Sequence, residues 1–172
     1  DEEGVRAILA SRAYHLSFGL DVRITTCSNN YGPRQFPEKL IPLVVARITA
    51  GKTVPVYGDG LQVREWLHAA DLARGAVAAL EHWIACETYT LGGGADRTNI
   101  DVVLYILQIT GTPASCIEYV ADRAGHDRRY AIDSTSAWER LGWRPRELFS
   151  RGLAETVTWL GRNSNQTEES KS

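Results

Sequence analysis

Val22-Arg23-Ile24-Thr25-Thr26-Cys27-Ser28-Asn29-Asn30-Tyr31-Gly32-Pro33 changes character halfway. Its first six residues alternate Val22, Ile24 and Thr26 with Arg23, Thr25 and Cys27, and their β-branched content is that of a strand. Ser28 to Pro33 then reads as loop, because Asn, Gly and Pro supply turn conformations. Beyond it, residues 38–50 carry Leu40, Ile41, Leu43, Val44, Val45 and Ile48, enough apolar positions for a buried helix. Pro42 falls in the first turn of that helix, where its missing N–H is tolerated, and Gly51 closes it. Strand, loop and helix in succession indicate an α/β chain.

Working outward, residues 4–18 fit a helix through Val5, Ile8, Leu9, Arg12, Tyr14 and His15, with Asp1, Glu2 and Glu3 at its positive end and Gly19 as its stop. Pro55-Val56-Tyr57 and residues 63–68 read as short strands around a Gly58-Asp59-Gly60 turn. Asp71 is placed to cap a helix running to about Trp83, and residues 88–91 form another strand, ended by Gly92-Gly93-Gly94. Thr98 or Asn99 can cap a helix through Thr110. Residues 117–120 are a further strand, and helices are expected over 134–141 and 150–162. Residues 163–172 contain nothing apolar to bury and are expected to be a disordered tail. No strand leads into a Gly-x-x-Gly-x-x-Gly turn, and the glycine trio lacks that spacing.

The 172 residues are 44% hydrophobic with a formal net charge of −2, enough to bury a core and too evenly charged for a general grip on nucleic acid or an anionic membrane. No apolar run approaches membrane-spanning length. Cys27, Cys86 and Cys116 are widely spaced, with no Cys-x-x-Cys pair or histidine set to complete a metal site, so free thiols and no metal are expected. The thiol count, with no secretory signal in the residues given, sets the expectation of a reducing, cytoplasmic setting, while a leader could lie upstream of residue 1. The sequence lacks methionine even at position 1, so residue 1 is not expected to be where translation starts.

Cys27-Ser28-Asn29-Asn30-Tyr31-Gly32-Pro33 followed by Gln35-Phe36-Pro37-Glu38-Lys39-Leu40-Ile41-Pro42 resembles a signature of the dTDP-glucose 4,6-dehydratases, which are extended short-chain dehydrogenase/reductase enzymes. The Asn-x-Tyr-Gly-Pro core is common to sugar-nucleotide epimerases, dehydratases and decarboxylases; the extension is narrower. Val54 to Gly60 with Val63-Arg64-Glu65-Trp66-Leu67-His68, the run from Tyr119 to Asp133, and Leu141-Gly142-Trp143-Arg144-Pro145 agree as well. The resemblance covers the chain from about Arg12 to Trp159. It implies the distal part of a Rossmann-type doubly wound sheet over residues 1–33 and a smaller α/β sugar-nucleotide-binding domain over 34–162, with some segments returning to the first sheet.

The same resemblance assigns roles. Asn30 lies beside NAD, and Asn29 touches the dTDP-sugar; by turn propensity alone the pair would be a turn. Lys39 and Leu40 contact the nucleotide sugar, Pro55, Val56 and Tyr57 wall the base, Arg64 binds diphosphate, and Asn99 makes a further substrate contact. Read without it, Lys39 is a solvated lysine, the triplet a buried strand and Arg64 half of a surface ion pair. Asp122-Arg123-Ala124-Gly125-His126 matches the Asp-Arg-x-Gly-His substrate loop, with Ala124 where proline is common and His126 a binding residue rather than a base. A diphosphate needs cationic forks, a base needs a flat apolar slot, and sugar hydroxyls need amides, and this set offers each.

The family's reaction also needs a nicotinamide hydride store, a Tyr-x-x-x-Lys pair and a Thr-Asp-Glu segment. No tyrosine here has a lysine four residues on, and Phe18 stands where Tyr14 would need one. Catalytic residues are therefore expected upstream of residue 1, and the chain is expected to be the carboxy-terminal portion of a homodimeric enzyme, with helix 4–18 a candidate pairing element. Thr26 and Thr90 stand where the family usually has arginine and asparagine. Two other readings stay open: a sister epimerase or decarboxylase, and a non-catalytic nucleotide-sugar-binding module.

Overall fold

The computed structural model describes residues 2–82 and 84–169. Helix α1 (Glu2–Phe18) ends where Gly19 takes a positive φ of 65°, and strands β1 (Ile24–Cys27) and β2 (Asn29–Tyr31) follow. Helix α2 (Leu40–Thr49), β3 (Val54–Tyr57), β4 (Val63–His68) and α3 (Ala69–Glu81) come next. Then come β5 (Thr88–Leu91), β6 (Ala95–Thr98), α4 (Asn99–Thr110), β7 (Ile117–Val120), β8 (Arg129–Tyr130), α5 (Thr135–Leu141) and α6 (Phe149–Glu169).

The α/β architecture expected from the sequence is present, with parallel pairing dominant. β1 pairs with β5, and β3 pairs with β7, each in parallel. β4 lies between β2, which it meets in parallel through Asn29↔Trp66, and antiparallel β6; β8 runs beside its first residues. Because successive side chains of a strand point to opposite faces, β4 feeds two cores. Trp66 enters the larger one, where Ile41 and Val44 of α2, Val102 and Ile106 of α4 and Leu153 of α6 are buried. Leu67 enters the smaller one with Tyr89, Leu91, Leu141 and Trp143.

The loop expected over Ser28–Pro33 contains strand β2. Asn29 and Asn30 carry turn propensity, but pairing with β4 outweighs it. β3 and β4 do not pair with each other: Gly58 and Gly60, at φ 57° and 72°, turn the chain into a different sheet. Strands β6 and β8 are additional to those read from sequence, since their polar residues give no alternation to detect.

Asp71 is not the cap of α3. That place belongs to His68, whose Nδ1 accepts the Ala70 N–H at 3.3 Å. Asp71 is fully buried in the first turn, where its carboxylate accepts the backbone N–H groups of Arg146 and Glu147, each at 2.9 Å, and pairs with Arg74. Thr98 caps α4 through the Asp101 N–H at 3.1 Å.

α6 continues to Glu169, which corrects the disordered tail expected from residue 163. The i→i−4 backbone ladder begins on the face of Leu153, Val157 and Leu160 that packs against the larger core, and Asn163 Nδ2 donates to Trp159 O at 2.7 Å. Trp83, where α3 was expected to end, Asp1 and residues 170–172 lie outside the described residues.

Gly93 fixes the approach of the β5–β6 connection to β4. A Cβ there would stand 1.8 Å from the Trp66 carbonyl oxygen, backbone against backbone. Gly93→Ala is expected to prevent the native fold, read as loss of the cooperative urea transition; a variant unfolding at the wild-type midpoint would contradict the close approach.

Candidate functional site

Along β3, Val54 and Val56 are 0% and 3% exposed, while Pro55 and Tyr57 are half-buried on the outer face. Val56 is therefore a core residue, and only Pro55 and Tyr57 can present side chains as a wall. β7 lies alongside, and after Val120 the chain turns back over the end of β3, held by Gly58 N–H to Val120 O at 2.9 Å. This turn carries Asp122, Arg123, Ala124, Gly125 and His126. Gly125 sits at φ 71°, and the His126 N–H closes the turn onto Arg123 O at 3.2 Å.

The Arg123 guanidinium stacks over the Tyr57 ring, its carbon 4.3 Å from the centroid. Asp122 organises the turn beneath it: Oδ1 accepts from His126 Nδ1 at 2.7 Å and from the Arg123 N–H at 2.8 Å, while Oδ2 accepts from Gln62 Nε2 at 2.8 Å. The His126 hydrogen bond, followed by those of the Arg123 N–H and Gln62, holds the Asp122 carboxyl below the usual carboxylate range. Asn99 joins through its backbone N–H, bonded to Gln62 O at 3.0 Å, next to Ile100 N–H to Gly60 O at 2.9 Å.

Arg64 lies two residues beyond Gln62 on β4, with Tyr130 and Arg97 as its cross-strand neighbours. Its Nη1 donates to Val63 O at 2.8 Å, and among the described residues no carboxylate lies within ion-pair distance of it. Arg128 continues the turn, clamping both oxygens of Asp59 at 2.8 and 2.9 Å, while Val63 N–H bonds Arg128 O at 2.8 Å. Tyr57, Asn99, Asp122, Arg123 and His126 thus converge, and the start of β4 that carries Arg64 is tied to the same turn.

The remaining candidates share no hydrogen bond with this cluster among the described residues. Asn29 is half-buried opposite Trp66. Asn30 Nδ2 donates to Ser28 O at 3.2 Å, and its Oδ1 is buried with no hydrogen-bond partner. Lys39 is exposed at the start of α2 and Leu40 packs against the larger core. Tyr31 is buried against His68, and burial with nearby Glu147 and Glu155 raises its hydroxyl pKa, the opposite of what a base requires. Among the described residues no three His, Cys, Asp or Glu side chains are grouped to hold a metal, and no helix is long and apolar enough to cross a membrane.

Gln62 went unread in the sequence because a lone glutamine between a turn and a strand carries no motif; it is 1% exposed. A cleft of about 530 Å³ adjoins the start of β4, lined by Val63, Arg97, Thr98, Asp101, Tyr105 and Phe149 together with the ion-paired Asp96 and Arg129. None of the candidate residues lines it.

Residues 6–156 match the family described as GDP-mannose 4,6 dehydratase, and the chain belongs to that family. Its relatives include the dTDP-glucose 4,6-dehydratase of Actinoplanes sp. (strain ATCC 31044 / CBS 674.73 / SE50/110), 52% identical over 155 residues, or 90% of this chain and 48% of that one. The dTDP-glucose 4,6-dehydratase of Streptomyces griseus is 49% identical over 160 residues, 93% of this chain and 49% of that one. The crystal structure of DesIV, the dTDP-glucose 4,6-dehydratase from Streptomyces venezuelae with NAD and TYD bound, matches with a TM-score of 0.89 and 48% identity over 93% of this chain and 50% of that one. UDP-glucose 4-epimerase from Thermotoga maritima, with UDP-glucose, shares the fold at a TM-score of 0.86 and 27% identity over 92% of this chain and 52% of that one. The chain spans about half the length of these relatives.

Asp122 gives the turn a defined pH response. Its folded pKa is depressed, so its contribution is present above the unfolded value of about 3.9 and is lost as pH falls through the lower folded value. His126→Ala removes the largest cause of the depression, so a carboxyl carbon NMR titration is expected to show the Asp122 midpoint rising toward the ordinary range. An unmoved midpoint would contradict the bond.

Proposed function

We propose that this chain carries the sugar-nucleotide-binding part of a dTDP-glucose 4,6-dehydratase, the enzyme that converts dTDP-glucose to the 4-keto-6-deoxy sugar. The observation that carries the reading is the Arg123 guanidinium stacked on Tyr57 above the Asp122 brace. The Pro55 and Tyr57 faces would receive the thymine, Arg123 and Arg64 the two phosphates, and Asn99 and Asn29 the sugar hydroxyls. Ala124 and Gly125 leave the turn without bulk, so its backbone can approach the ligand. Charge-assisted hydrogen bonds to phosphate contribute roughly 1.5 to 3 kcal/mol each, whereas an exposed ion pair contributes under about 1 kcal/mol. Similarity to the dTDP-glucose 4,6-dehydratases, at 52% and 49% identity, supports this substrate class over that of the 27% identical epimerase.

NAD would supply the temporary hydride store of the reaction. The residues of this chain do not by themselves fit it: the sequence has no Gly-x-x-Gly-x-x-Gly turn, and Asn30, with its unpartnered Oδ1, is the single residue assigned to the cofactor. Pairing as a homodimer through α1 is supported by Leu9, Leu16 and Phe18, which are 60%, 82% and 76% exposed. The free thiols Cys27, Cys86 and Cys116 support a reducing, cytoplasmic setting.

Titration calorimetry of the 172-residue chain tests the reading. dTDP is expected to bind more tightly than UDP or GDP, and Arg123→Ala to weaken dTDP by about tenfold, or about 1.4 kcal/mol. With NAD and dTDP-glucose supplied, the chain alone is expected to form no 4-keto product, because it lacks a Tyr-x-x-x-Lys pair. A folded chain that fails to bind dTDP, or binds all three nucleotides equally, would overturn the reading.

A further inference from the structure

We propose that Gln62 is a positioning residue: its buried amide ties the 122–126 turn to the end of β3, and so sets Arg123 on the Tyr57 ring. The inference rests on the nucleotide-site reading for its consequence in binding, but the positioning can be measured without a ligand.

A glutamine at 1% exposure is costly unless its amide is bonded, and here the nitrogen carries the bonding while Oε1 is buried without a hydrogen-bond partner. Its Nε2 donates to Asp122 Oδ2 at 2.8 Å, with a longer contact to Tyr57 O at 3.4 Å. Both partners are acceptors only, so a flipped amide would set oxygen against oxygen, and the orientation is fixed by chemistry. The backbone oxygen of the same residue receives the Asn99 N–H. One residue therefore touches all three segments that carry the site.

The approach is close. A Cβ on Gly58 would stand 2.8 Å from Asp122 Oδ2, so the carboxylate reaches Gln62 over a position that only glycine leaves open. Both Asp122 oxygens are occupied, by His126 and the Arg123 N–H on one and Gln62 on the other. Through these bonds Asp122 sets the turn that carries Arg123, and Gln62 acts through Asp122.

The test reads the Arg123 side-chain protons by NMR in the whole 172-residue chain, since stacking on Tyr57 shifts them upfield. Gln62→Glu keeps the shape but faces one carboxylate with another. At pH 7 the upfield shift is expected to disappear and dTDP affinity to fall about tenfold. Below about pH 5 the facing carboxylates share a proton, and the shift is expected to return. Gln62→Leu should lose the shift at every pH. Asp122→Ala, at an exposed position, should lose it without disturbing the core.

Retention of the wild-type Arg123 shift in Gln62→Leu, or a loss in Gln62→Glu that acid does not reverse, would overturn the proposal. So would a wild-type Arg123 shift in Asp122→Ala, a surface variant that also decides the case in which a Gln62 variant fails to fold for reasons unrelated to Asp122. Should the wild-type chain fail to bind dTDP, the nucleotide reading falls while the Arg123 shifts still decide the role of Gln62.

Discussion

Strand β4 is the constraint on which the rest of the molecule depends. It pairs with β2, β6 and β8, and its two faces supply Trp66 and Leu67 to separate cores. Between them Glu65, 4% exposed, accepts the Gly94 and Ile132 N–H groups at 2.7 and 3.0 Å. Ser134 Oγ receives the Gly92 N–H at 2.6 Å on the same connection. A carboxylate this buried is stable only because backbone donors replace the water it gave up. The strand is thereby locked to both connections that pass beside it, and Gln62, immediately ahead of it, inherits that rigidity.

The site built on this strand is local in its electrostatics. With a net charge of −2 the chain as a whole offers no field to steer an anion, so the proposed recognition would depend on particular guanidinium groups. An exposed stack such as Arg123 on Tyr57 contributes only about 0.5 to 1 kcal/mol, too little to order a turn whose residues are mostly exposed. The order comes from Asp122, which collects three donors, and from Gln62, which connects that hub to the interior. Flexible groups at the surface are thus placed by a short polar chain anchored in the core.

Much of this was legible in the sequence. Apolar periodicity located α2 and α4, β-branched residues located β1, and glycines marked the ends of α1 and α2. The signature around Asn29 and the run from Asp122 to His126 pointed to a sugar nucleotide, and the turn at 122–126 does lie against Tyr57 and close to Asn99. What escaped was decided by tertiary contacts. β2 is a strand in spite of two asparagines because β4 offers it a partner, and β6 and β8 are too short and polar to show a period. Asp71 looks like a helix cap but is a buried acceptor for a segment 75 residues away. Val56 belongs to the core because β3 alternates, which a three-residue wall could not respect. α6 extends into the polar residues after Arg162 because a helix already nucleated costs little to lengthen.

A crystal structure of the 172-residue chain grown with dTDP addresses the central claim most directly. The thymine is expected against Pro55 and Tyr57, with the diphosphate within hydrogen-bond distance of the Arg123 and Arg64 guanidinium groups and Asp122 still bound to Gln62. A nucleotide found in the cleft between Arg97, Tyr105 and Arg129 instead, with the Tyr57 face bare, would contradict it.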